Sequence, residues 1–162
     1  MTIAVWSNTF ITAAGAGAAL AGLIIVAMSV NVKTILRIPG MTSRAATTIA
    51  VLILIVLLAL AGLFPAQSDL QFGAVVTICS LPVLALSLRS AAIMVNDAAP
   101  RAKVAAATKG LLGVVPTALA VTAGVLLLVG NADGLVLLGA SMLISIAASV
   151  TNAWVLLVEV LR

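Results

Sequence analysis

A chain of 162 residues that is 64% hydrophobic and 7% charged has too few polar side chains to cover a water-soluble domain. Its mean hydropathy of +1.38 points to an integral membrane protein, and the net charge of +4 is read in that setting. The eight basic residues are scattered over short connections, which argues against a nucleic-acid partner and fits membrane lipids with anionic headgroups.

Five long apolar runs take up most of the length, since about 20 helical residues cross a ~30 Å hydrocarbon core. The first spans about 10–32, with Trp6 just outside it as an interfacial anchor. Residues 1–10 carry neither a basic n-region nor a small-residue cleavage site, so this run is read as a retained span. The second spans about 45–64 and stops at Pro65. The third, about 72–95, passes Pro82, and the fourth, about 110–129, contains Pro116. The fifth spans about 135–158, with Trp154 as an anchor near its far end. Apolar character is continuous in each run, not alternating at every second residue, so helices are expected and barrel strands are not. The expected fold is all-α: one integral membrane domain over 1–162, a bundle of five transmembrane helices.

The connections fix the threading. Segments 65–71 and 130–134 read as tight turns and carry no Lys or Arg. Lys33, Arg37, Arg44, Arg89, Arg101, Lys103, Lys109 and Arg162 all fall on the opposite face. By the positive-inside rule that face is cytoplasmic, with the N-terminus outside and the C-terminus inside. The short outer turns predict antiparallel hairpins, the second span with the third and the fourth with the fifth. The Ala-rich inner segment 96–109 has room for a short interfacial helix beginning at Pro100.

Helices gain little in lipid by burying apolar surface, so small residues mark where backbones approach. In the first span Gly15, Ala18 and Gly22 share a face, which Ser29 extends. In the fifth, Ser141, Ser145 and Ser149 repeat every four residues, and Asn152 follows. The second span is bulky on every side, as in Ile49-Ala-Val-Leu-Ile-Leu-Ile-Val-Leu-Leu58. The expectation is that the first and fifth helices form the packed centre and the second lies outside. Periodicity leaves open whether the small faces meet within one subunit or between subunits.

Catalytic equipment is sparse. The chain has no histidine and no tyrosine, which removes two common acid–base groups. Its one cysteine, Cys79, falls mid-span, where a thiol is a buried apolar group and not a nucleophile. Asp69 and Asp133 belong to one face and Asp97 and Glu159 to the other, so no carboxylate pair is forced together. No catalytic residue, cofactor site or metal site is expected, and the chain is read as non-enzymatic. Arg89 is the eighteenth residue of its span, ~27 Å from the outer edge at ~1.5 Å per residue. It either snorkels to lipid phosphate or pairs with Glu159 at similar depth. Asn31 and Asn152 would join that pair in an inner polar cluster acting as a structural clasp. Pro82 and Pro116 each remove one helical hydrogen bond, routine in membrane helices whose neighbours satisfy the freed carbonyl.

Three stretches carry a resemblance. Ala18-Ala-Leu-Ala-Gly-Leu-Ile-Ile-Val-Ala-Met-Ser-Val-Asn31 and Pro39-Gly-Met-Thr-Ser-Arg-Ala-Ala46 resemble the start of a family of small actinobacterial multi-pass membrane proteins. Asn152-Ala-Trp-Val-Leu-Leu-Val-Glu-Val-Leu-Arg162 is similar to that family's closing segment. Some members carry the label "modulator of FtsH protease". The resemblance implies a bacterial inner-membrane protein without established catalytic residues. It directs attention to Asn31, Arg44, Asn152, Trp154, Glu159 and Arg162.

The functional expectation is an accessory or regulatory subunit that binds other membrane proteins or itself, as a homo-oligomer or within a larger complex. The competing expectation is a small homo-oligomeric channel or transporter whose pore is lined by Ser141, Ser145 and Ser149.

Overall fold

The computed structural model describes residues 3–37, 41–65, 67–97 and 103–161, and the regular structure among them is helical. A 3-10 turn, Ile3–Trp6, leads into α1 (Ser7–Val30) and the short α2 (Val32–Arg37). Then follow α3 (Met41–Gly62), α4 (Asp69–Asp97), α5 (Lys103–Leu128) and α6 (Asp133–Leu161). Five segments are long and apolar enough to cross a membrane: Ile3–Val30, Met41–Gly62, Asp69–Asn96, Ala106–Leu128 and Asp133–Trp154. The bundle's exterior is apolar as well, with Leu23, Val26, Ile78 and Leu143 strongly exposed. Such a surface is stable in hydrocarbon and unstable in water, as in a multi-pass membrane protein.

The helix ends explain the two turns at the acidic end of the bundle. Ser68 and Gln71 form a reciprocal capping box at the start of α4. The Gln71 amide donates to Ser68 Oγ at 3.2 Å, and the Ser68 amide donates to Gln71 Oε1 at 3.1 Å. Asp69 and Asp133 occupy the first turns of α4 and α6, where a carboxylate faces the positive end of the helix dipole. After α5, Gly130 adopts φ +77°, a conformation that side chains disfavour. Its amide donates to Leu127 O and that of Asn131 to Leu126 O, the paired bonds of a Schellman stop.

Packing departs from the expectation on three points. The bulky α3 lies at the centre, the most enclosed of the five spans, against α1, α4 and α6. Its large side chains act as knobs, and glycines on its neighbours supply the holes. A Cβ at Gly17 of α1 would sit 3.1 Å from Val56 Cγ2, and one at Gly113 of α5 would sit 3.7 Å from Thr47 Cγ2. Contact between α1 and α6 is slight by comparison. Bulk marked the core here because dispersion in close-packed grooves, and not flight from water, rewards it.

Second, the most extensive contact joins α4 to α5, which are connected by the longer inner segment and not by a tight turn. Glycine makes the approach possible: a Cβ on Gly73 would lie 2.8 Å from Leu127 Cβ and 2.9 Å from Leu128 N. One on Gly124 would lie 2.8 Å from Thr77 N and would collide with Thr77 Oγ1. Third, no separate interfacial helix precedes the fourth span among the described residues. The Ala-rich stretch from Lys103 forms the opening turns of α5, which runs unbroken to Leu128, through Pro116. Pro100 and Arg101 lie outside the described residues.

At the acidic end, Phe10 of α1 seals the bundle. It is buried, its ring meets Phe72 edge-on at 5.7 Å, and Gly62 leaves room for it, since a Cβ there would lie 2.6 Å from Phe10 Cε2.

Candidate functional site

Polar side chains inside a bundle must find hydrogen-bond partners, because hydrocarbon supplies none. Thr47 and Thr48 donate to Ser43 O and Arg44 O one turn back, and Thr117 donates to Gly113 O and Val114 O. Ser141 donates to Leu138 O. Ser141, Ser145 and Ser149 are 2%, 5% and 3% exposed, so the α6 serine stripe faces the interior of a single protomer. Ser80 and Ser87 of α4 are buried with hydroxyls that have no partner among the described residues.

Ser87 opens onto a polar recess that gathers charge. Towards the basic end, α3, α4, α5 and α6 leave a cleft lined by Arg44, Thr47, Ser87, Ser90, Lys109 and Asn152. The local sequence explains the convergence. Arg44 and Thr47, and Ser87 and Ser90, are spaced i,i+3 and so share a helix face, while Gly110 and Gly113 keep α5 thin where it passes them. A Cβ on Gly110 would lie 2.8 Å from Ala91 Cβ. The cleft has about 20 Å³, room for one water-sized group. Its described lining includes two cations and no carboxylate.

Three of the four residues expected in the inner polar cluster have described side chains: Asn152, Arg89 and Asn31. Asn152 lines the cleft. Arg89 is exposed, one step around α4 from the face that carries Ser87 and Ser90, and is not among the lining residues. Asn31 is satisfied locally, its Nδ2 donating to Ala27 O at 2.9 Å. The side chain of Glu159 lies outside the described residues, as does Arg162. Arg44, Lys109 and Ser87 line the cleft beside Asn152, and Arg89 does not. The missed signal was the i,i+3 polar spacing at the span ends, which marks an inward face better than depth alone.

The small-residue face of α1 is likewise turned differently. Phe10, Ala13, Gly17, Ala21 and Ile24 form its buried side. Gly15, Ala18 and Gly22 are exposed, and a Cβ on Gly15 or Gly22 would meet nothing within 4 Å. Beside this face an open groove of about 440 Å³ separates α1 from α6, lined by Thr12, Ala16, Met142 and Ile146 among others. Of the two tryptophans, Trp154 is 66% exposed, as suits an interfacial anchor. Trp6 is half-buried instead, and a Cβ on Gly139 of α6 would lie 2.8 Å from its ring. Cys79 is half-buried along α4.

Comparison of the chain with protein-family models, with curated proteins and with solved structures finds no match.

Proposed function

We propose that this chain is a non-enzymatic, multi-pass protein of the bacterial inner membrane, N-terminus outside and C-terminus inside, that serves as an accessory or regulatory subunit. It acts through helix–helix contacts with another membrane protein or with its own copies. The observation that carries this reading is the outward face of α1. Gly15 and Gly22 stand in mid-helix, where glycine costs about 1 kcal/mol relative to alanine. Neither accommodates any neighbour of its own chain. Glycine in such a place gains its value from a helix brought in from outside, and Ala18 between them keeps the face flat. The family resemblance noted in the sequence, to small actinobacterial membrane proteins, is in keeping with a subunit role.

The pore reading is weighed down by the α6 serines. A channel between copies would need them at a water-filled lumen, and here they are packed inside one protomer.

The test substitutes Gly15 and Gly22 singly by leucine, into open space, and isolates each variant from native membranes in mild detergent. The expected result is loss of the co-purifying subunit, or of the oligomer, with unchanged melting of the protomer. Undiminished association in both variants overturns the reading. Solute flux from a symmetric oligomer in liposomes would establish the channel instead.

A further inference from the structure

We infer that the cleft among α3, α4, α5 and α6 is a site for one structural water molecule, which joins Ser87 of α4 to Asn152 of α6. The inference stands apart from the subunit reading and needs only the helical bundle. Its first ground is size. Gly113 of α5 helps to make the recess: a Cβ there would stand 3.9 Å from Ser87 Oγ and 3.7 Å from Thr47 Cγ2, so the missing side chain leaves a gap between α5 and its neighbours. The recess measures about 20 Å³, and a single water needs roughly 10–15 Å³ on the same scale. It admits one water and nothing larger.

The second ground is Ser87. It is 2% exposed, lines the cleft, and its hydroxyl has no partner among the described residues. A buried hydroxyl left unpaired is costly, and a polar recess of this size is where an ordered water satisfies it. Such a water makes about three hydrogen bonds. Ser87, Ser90 and the Asn152 amide supply polar groups for them from the lining. Arg44 and Lys109 also line the cleft but are not counted, because each already has an interaction of its own. Their positive charges disfavour a metal ion in the same place. Direct contact between α4 and α6 is slight, so the water is a polar link between them, nearly as good as a direct hydrogen bond.

The experiment uses the full chain in lipid bilayers with its serines carbon-13 labelled. Solid-state NMR reads the transfer of magnetisation from water protons to each serine, and single Ser→Ala variants assign the signals. Ser87 is expected to receive magnetisation early. Ser80 is the internal control, since it is buried with an unpartnered hydroxyl but does not line the cleft. Transfer to Ser87 as slow as that to Ser80 overturns the site. Gly113→Ala puts a methyl group into the recess at ordinary contact distances, so the chain should fold and the Ser87 signal should fall to the Ser80 level. An unchanged Ser87 signal in that variant also overturns the site, because the water then lies elsewhere. The link to α6 is tested by a double-mutant cycle of Ser87→Ala and Asn152→Leu, read from unfolding in mixed micelles. A water shared by both residues makes the double loss smaller than the product of the single losses by about threefold, the usual worth of one hydrogen bond in a membrane bundle. Losses that simply multiply overturn the link. If Gly113→Ala fails to fold, the Ser87–Ser80 contrast and the cycle still decide the matter.

Discussion

Gly124→Ala is the sharpest test of the packing described above, because one methyl group is placed where the structure leaves no room. The new Cβ would lie 2.8 Å from Thr77 N and 3.1 Å from Val76 Cγ1, and would collide with Thr77 Oγ1. The Thr77 hydroxyl donates to Gly73 O at 2.8 Å, so turning it away breaks a hydrogen bond. The backbone nitrogen cannot turn at all. Relief requires α4 and α5 to part by about half an ångström, which forfeits a quarter or more of each atomic contact along the seam. Overpacking of this kind costs about 1–3 kcal/mol. Alanine returns about 1 kcal/mol in helix propensity, leaving a net loss of about 0–2 kcal/mol against the parent. Gly22→Ala is the matched control, since its Cβ meets nothing and only the propensity gain remains. Reversible unfolding in mixed micelles, read as the midpoint of denaturing detergent, measures both. Equal stability of Gly124→Ala and Gly22→Ala would refute the α4–α5 seam, since the overpacking cost of about 1–3 kcal/mol should separate them.

Other consequences follow from individual contacts. Phe10→Ala vacates the ring site against Gly62 and Phe72. It should cost about 2 kcal/mol in the same assay, nearly all of it the cavity term, because lipid competes for the apolar surface. Ser68→Ala removes half of the α4 capping box and should lower stability by about 1 kcal/mol, with Ser68→Asp close to the parent. For the threading, a single cysteine at position 103 in a Cys79→Ala background should resist an impermeant maleimide added outside intact cells. One at position 133 should react, and the reverse pattern would invert the orientation.

Sequence alone reached as far as five helices long and apolar enough to cross a membrane. Charge and hydropathy are summed properties, so the positions of 64% hydrophobic residues among five runs determined the helical class, the number of spans and the basic face without any contact being known. The tight turns at 65–71 and 130–134 were legible too, because their residues act on their own backbone. Which helix sits at the centre was not legible. In lipid the apolar pattern carries no inside–outside signal, so the bulky run at Ile49 to Leu58 read equally well as core or exterior. Only the tertiary structure decided it, by seating Val56 and Ile55 over Gly17. The same reason separates the two glycine sets. Gly73 and Gly124 looked unremarkable in sequence and form the tightest seam, whereas Gly15 and Gly22 looked like a core face and point away from it. The site divided in the same way, since Asn152 lines the cleft and Arg89, placed by depth alone, does not. Depth follows from counting residues along a helix. Azimuth depends on where the neighbouring helices lie, and that put Arg44, Ser87 and Lys109 around one recess and left Arg89 outside it.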